Sequence, residues 1–386
     1  MNIHTQIPFN FGNLYNFDNL IFKSTYMKYI FFLSLILTTS LIFGQNMEFE
    51  SYDPPSTLVV PENPKSSAKY PFVDVHSHHW RMGEMDLDKL INEMDSLNMQ
   101  VIVNLSGRGG EELVKIMDNV NSSDHKKRIV NFTNIELRSI DEPDWTEETV
   151  KKIEFDYKTG ARGLKIYKSQ GMSNTDTAGN RIKIDDPRIG PVFEKCGELG
   201  IPVLIHSADP KSFWEPHDSL NERWLELKLR PRRKRGPDNP APWDTIIQEQ
   251  HNIFKNHPNT NFIAAHMGWY PNNLGKLAEL LDEMPNMYVE IGAVIAELGR
   301  QPRMANRFFE KYQDRVLFGK DSYRPEEYPT YFRVLETDDE YFPYYKRYHA
   351  FWKMYGLDLP DEILKKLYYK NAIKLIPGID ETMFPE

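Results

Sequence analysis

From residue 71 onward the chain repeats one rhythm eight times: a short apolar run, then a longer amphipathic stretch. The strand-like runs fall at 71–75, 100–105, 129–135, 162–166, 201–205, 261–265, 286–291 and 315–318. Helical patterns lie near 86–98, 110–121, 146–159, 187–199, 243–257, 272–283 and 302–313, with a last one at about 360–375. A strand covered by helices on its face must be apolar along its length, so this alternation implies a parallel sheet. Eight units within roughly 300 residues predict an α/β fold, a closed (β/α)8 TIM-like barrel. An open doubly wound sheet is the alternative, but no glycine-rich phosphate loop follows the first run. Two connections are long, from His206 to about 242 and from Asp321 to about 358. Both would leave the C-terminal face of a barrel, where such enzymes keep their active sites. The first holds Trp214, His217, Trp224 and the basic run Lys228–Arg235, read as a solvated loop or a patch for an acidic substrate; the second is crowded with Tyr and Phe from Tyr323 to Phe351.

Of the 386 residues 40% are hydrophobic and 27% charged, which suits a globular core rather than a disordered chain. The net charge of −9 argues against a nucleic-acid partner. With one cysteine, Cys196, neither an intrachain disulfide nor a cysteine-based zinc site is available. Cys196 sits in a helical pattern and reads as a small core residue.

Residues 1–26 precede a good start methionine and read as a mis-assigned upstream extension. From Met27 the chain has Lys28, an apolar run from Tyr29 to Phe43, then Gly44-Gln45. A basic start, a short apolar stretch and a small-residue exit describe a signal peptide over 27–45. The run is short of the roughly 20 apolar residues a membrane span needs. The expected product is exported, periplasmic or secreted, with no stable membrane span after cleavage. Residues 46–70, rich in Pro, Ser and Lys, form an extended lead-in. The barrel domain covers 71–376 and 377–386 form a tail.

Ionisable residues stand where five of the apolar runs end: Asp74-Val75-His76-Ser77-His78, Gly163-Leu164-Lys165, Leu204-Ile205-His206, Ala265-His266 and Phe318-Gly319-Lys320-Asp321. Such groups are costly to bury unless they bind a metal or pair with one another. Side chains two apart on a strand share a face, so His76 and His78 can grip one ion, with Asp74 behind them as an orienting group. His79 points the other way and packs locally. His206 reads as a third imidazole ligand. His266 can bind a second metal or act as a proton donor beside the substrate. Asp321 can ligate an ion and take a proton from its water. Gly319 keeps the strand end open, and Lys320 faces away with no catalytic role. Lys165 should face the barrel interior, either carboxylated between two metals or paired with a substrate carboxylate. Glu290, at the end of the seventh run, and Arg300 in the next connection are candidates for substrate binding; Arg303 is a weaker one.

These phrases, with Ile-Pro-Val-Leu-Ile-His and Arg-Val-Leu-Phe-Gly-Lys-Asp, resemble the amidohydrolase superfamily, most closely its amidohydrolase-related (amidohydrolase 2) branch, over about residues 71–376. That branch includes lactonases and metal-dependent decarboxylases. The resemblance implies that His76, His78, His206 and Asp321 hold a divalent metal, zinc or else manganese. It implies that His266 acts on the substrate or completes a second site with Lys165, for one or two ions in all. The long aromatic loop after His206 and the lysine at 320 depart from the branch and leave the substrate open. The reading is a hydrolase of a small carbonyl compound, a lactone, amide or ester that can be anionic. A non-oxidative decarboxylase is the alternative, and a metal-bearing binding protein without turnover is the third reading. A homodimer is compatible with all three.

Fusing residues 27–50 to a reporter is expected to carry it out of the cytoplasm, with cleavage near Gly44-Gln45. N-terminal sequencing of the exported product checks the cut, and a mature protein that begins upstream of Met27 would contradict this reading.

Overall fold

Val, Ile, Leu and Phe fill the apolar runs, and each run becomes a short buried strand. In the computed structural model, residues 27–29 and 47–385 are described. The strands are β1 (Phe72–Ser77), β2 (Met99–Asn104), β3 (Ile129–Asn131), β4 (Thr133–Asn134), β5 (Leu164–Ile166), β6 (Val203–Ile205), β7 (Phe262–Ala264), β8 (Met287–Glu290) and β9 (Val316–Leu317). All pair in parallel, in the orders β1-β2-β3 and β4-β5-β6-β7-β8-β9.

β3 and β4 are one strand interrupted at Phe132. The Phe132 N–H donates to Asn104 O beside β2 (3.0 Å), and the Thr133 N–H donates to Gly163 O beside β5 (2.8 Å). Gly163 is required here, because a Cβ would run into the Phe132 ring. At the other seam the Val75 N–H donates to Phe318 O (3.0 Å) and the Asp321 N–H to His76 O (2.7 Å), with Ser77 and Asp321 bridged in parallel. The nine segments are therefore eight staves, and these bonds close them into the predicted barrel.

The closing seam is reinforced by one carboxylate. Asp74 is fully buried; its Oδ1 accepts from the His76 N–H (3.0 Å) and from the Lys320 N–H (3.1 Å), and its Oδ2 from Tyr328 O–H (2.6 Å). Burial pushes its pKa up to about 7, against the pull of these donors. Beneath it Phe72 packs edge-on against Phe318 and Phe332, at 4.8 and 5.4 Å between ring centres.

The helices Leu87–Ser96, Glu111–Asn121, Trp145–Thr159, Gly190–Glu198, Trp243–Asn256, Leu274–Glu283 and Pro302–Lys311 occupy the predicted helical stretches. Cys196 is buried in the core, as expected. The connection after Asp321 differs from the expected loop. It contains a helix, Tyr328–Glu336, and a two-strand hairpin in which Phe342–Pro343 pair with Lys353–Met354. Tyr328, Tyr331, Phe332 and Leu335 are buried at helical spacing, so the aromatic crowding there is a packed helix face. The connection after His206 carries a short helix, Trp224–Leu229.

Thr57–Glu386 form one compact unit. Before it, residues 27–29 are helical and Phe49–Ser51 make a 3-10 turn. The upstream extension, and all of the expected leader apart from residues 27–29, lie outside the described residues. No helix among the described residues is long and apolar enough to cross a membrane.

Asp74→Ala strands two buried N–H groups and one buried hydroxyl at the seam. A stability loss of roughly 3 kcal/mol is expected in urea unfolding, with the cooperative transition retained. A loss below roughly 1 kcal/mol would show that the seam does not need this carboxylate.

Candidate active site at the C-terminal strand ends

His76 and His78 close β1, Lys165 lies in β5, His206 follows β6, His266 follows β7, Glu290 ends β8 and Asp321 follows β9. Parallel strands deliver all seven side chains to one end of the barrel. The ligand-type atoms of His76, His78 and Asp321 lie within 4.8 Å of one another. Asp321 Oδ1 is 3.5 Å from His76 Nε2 and 3.8 Å from His78 Nε2.

The hydrogen-bond partners set the tautomers. Tyr167 donates its O–H to Leu105 O (2.9 Å), so Ser106 donates its hydroxyl to Tyr167 Oη (3.2 Å). Ser106 Oγ is then the acceptor for His78 Nδ1–H (2.9 Å), and His78 Nε2 keeps its lone pair toward Asp321. Glu290 does the same for His76. Its Oε1 accepts from His76 Nδ1–H (2.9 Å) and the His266 N–H (2.7 Å), and its Oε2 from the Gly292 N–H. His266 donates Nδ1–H to Gly292 O (2.7 Å), and its Nε2 accepts from His206 Nδ1–H (3.3 Å). That leaves His76 Nε2 and His206 Nε2 buried with no hydrogen-bond partner among the described residues. Neutral imidazoles with bare, convergent nitrogens beside a carboxylate form a donor set for a divalent ion such as zinc or manganese.

Burial holds His76 and His206 well below the usual histidine pKa, and His78 down to about 3, so the rings are neutral. For Asp321 burial opposes ionisation, but its surroundings of His76, His266, His78 and Lys165 outweigh it and hold the carboxyl well below its ordinary value. Lys165 is fully buried, its Nζ has no hydrogen-bond partner among the described residues, and burial pushes its pKa down to about 7 against the fields of Asp321 and Glu290.

The backbone is bent to make this fit. His266, Met267, Gly268 and Trp269 all have φ between 55° and 62°, a left-handed turn that costs L residues roughly 1–2 kcal/mol each. The turn aims the His266 ring at His206, 4.3 Å away between centres. Asp321 also sits at positive φ, 81°. Gly319 is forced: a Cβ there would collide with Glu290 Oε2 and lie 2.9 Å from His76 Cβ.

The structure redistributes several expected roles. Glu290 is completely buried and works behind His76 and His266, so it is not placed to touch substrate. Both ring nitrogens of His266 have partners within the protein, Gly292 O and His206, and its ligand-type atoms also lie within 4.8 Å of those of His76 and Glu290. Arg300 stacks on Trp352 and pairs with Glu222, outside the cavity that His266 and Asp321 line. Arg303 is exposed. Lys320 is buried and tied to Glu327 and Ser322 O. His79 bonds Ser77 Oγ (3.0 Å), a local role as expected. In the basic run, Arg233 turns inward to Glu226 and Arg235 to Asp209. Ser106, Tyr167 and Gly292 were not foreseen, because only the fold brings them behind the histidines.

A parallel barrel with histidine nitrogens and a carboxylate gathered at its C-terminal rim has the layout of a barrel enzyme's active-site face. The chain belongs to the amidohydrolase family, whose sequence profile, described as Amidohydrolase, matches residues 137–378. That match takes in His206, His266 and Asp321; His76 and His78 lie before it and join them through the barrel. No curated protein matches the sequence. Solved structures similar to it include an uncharacterized TIM-barrel protein from Bordetella bronchiseptica (14% identity, 79% of this chain and 97% of that one, TM-score 0.49). A 4-oxalomesaconate hydratase from Rhodopseudomonas palustris has 13% identity over 81% and 97% of the two chains, with a TM-score of 0.47. An amidohydrolase from Burkholderia multivorans with bound zinc has 12% identity over 79% and 98%, with a TM-score of 0.45.

Protein stripped with chelator and titrated with zinc and with manganese is expected to take up at least one of them tightly. His76→Ala abolishes this uptake. Ser106→Ala, which removes only the partner of His78 Nδ1, weakens it roughly 10- to 100-fold. Elemental analysis and chelator competition measure both, and uptake untouched by His76→Ala would place the ion elsewhere.

Proposed function

We propose that the protein is a metal-dependent hydrolase of a small carbonyl compound, a lactone, amide or ester. The observation that carries this reading is the ionised Asp321 carboxylate beside the bare Nε2 atoms of His76 and His78, in the wall of a small cavity. His76, His78 and Asp321 would hold the ion; His206 lies outside this group of ligand atoms within 4.8 Å of one another. Such an ion supplies Lewis acidity toward a carbonyl oxygen and lowers the pKa of water toward ~7.

The cavity holds about 170 Å³ and is lined by His206, His266, Trp269 and Asp321 together with Lys168, Arg223, Arg233 and Lys346. That volume suits a small molecule; Asp209 and Glu226 also line the wall and pair with Lys168, Arg223 and Arg233. Asp321 takes a proton from the attacking water as its oxygen bonds to the carbonyl carbon. When the carbon–heteroatom bond breaks, Asp321 returns that proton to the leaving oxygen or nitrogen. His266, held by Gly292 O, keeps His206 turned with Nε2 outward. Glu290 keeps His76 in the matching tautomer. Trp269 packs on His266, 4.6 Å between ring centres, and shields that side of the site from water.

Asp321→Asn keeps an oxygen for the ion but cannot take a proton. Turnover on a lactone found by screening is expected to fall by a factor on the order of 10² to 10⁴, with metal content largely kept. Full turnover in this variant would overturn the mechanism. Release of CO2 in place of a ring-opened acid would convert the assignment to the decarboxylase.

A further inference from the structure

Four cationic side chains line the cavity, and three already have a carboxylate partner. Lys168 pairs with Asp209 at 2.6 Å. Arg223 lies between Glu226, at 2.7 Å, and Glu297. Arg233 shares Glu226. Lys346 differs: among the described residues no carboxylate or carbonyl bonds its ammonium group, which lies 5.5 Å from the centre of the neighbouring Tyr345 ring. Of the carboxylates whose fields reach it, Glu327 is committed to Lys320 at 2.5 Å and Asp321 belongs to the histidine cluster.

The backbone around Lys346 is fixed. It stands between the paired strands Phe342–Pro343 and Lys353–Met354, and its carbonyl accepts from the His349 N–H (2.9 Å). Tyr344 and His349 on either side are buried. The connection after β9 therefore presents one uncompensated ammonium group to the same small cavity as Asp321, His206 and His266. A lone half-buried cation in a cavity wall favours an anion that completes the pair.

We infer that Lys346 anchors a carboxylate on the substrate, and so selects small carbonyl compounds that carry one. This rests on the reading above that the cavity is the substrate site. It assigns to the long aromatic connection the role that the sequence offered to Arg300 or Lys165.

The test is calorimetric binding to the zinc-loaded protein of two probes, paraconate, a γ-lactone bearing a ring carboxylate, and γ-butyrolactone, which lacks it. Wild type is expected to bind paraconate tighter by a factor on the order of ten, the weight of one charge-assisted pair. Lys346→Met should remove this preference while zinc content stays unchanged, and Lys346→Arg should keep much of it. Equal or absent binding of paraconate by wild type overturns the inference. So does a preference that survives in Lys346→Met, because the carboxylate is then held by the ion. Binding is read without turnover. A lactone bound through Lys346 but never opened would overturn the hydrolase reading and leave the anchor standing.

Discussion

The site depends on one buried carboxylate that never needs to meet the substrate. Glu290 ends β8 with no exposed surface and accepts from His76 of β1, from the backbone N–H of His266 after β7 and from that of Gly292. A charge taken this far out of water is tolerable only when its oxygens are saturated with donors. Burial does raise its pKa, and the field of His266 and the two backbone N–H groups pull the other way. Space for it comes from Gly319 and Gly292, each of which would collide with Oε2 if it carried a Cβ. One side chain thereby ties three strand ends together and sets both the tautomer of His76 and the left-handed turn at His266.

A division of labour follows around the rim. The strand ends supply neutral imidazoles and one carboxylate, Asp321, held below its ordinary pKa despite its burial. The long connections supply charge of the opposite sign, most of it internally paired. Arg223, Glu226 and Glu297 form a buried ionic cluster, joined from the exposed side by Arg233, in the wall of the cavity. Buried networks of this kind contribute less to stability than to holding a defined shape. The two connections differ from flexible lids in this respect, since each is pinned by packed aromatic rings and ion pairs.

Much of this was legible before any coordinates. A strand covered on its outer face by helices and on its inner face by its neighbours must be apolar, so eight apolar runs announced eight staves. His76 and His78 could be assigned to one face because side chains alternate along a strand. The abrupt appearance of His206, His266 and Asp321 after such runs marked the strand ends. The helix Tyr328–Glu336 was hidden because two prolines, Pro325 and Pro329, precede or enter its first turn and its aromatic residues mask the periodicity. Proline at the start of a helix removes no needed hydrogen bond, so the break they seemed to announce does not occur.

The sequence by itself determined the order of strands and helices, the end of the barrel on which the ionisable residues gather, and the chemical type of each. These follow from periodicity and from the cost of burying charge, both properties of local sequence. Tertiary structure alone decided which nitrogen of each histidine is left bare, that Glu290 stands behind the cluster, and that Arg300 lies outside the cavity while Lys346 lies in its wall. Those outcomes depend on contacts between residues hundreds of positions apart, such as Glu290 with His76. Spacing along the chain carries no information about them, because the loops that set the final approach obey no simple period.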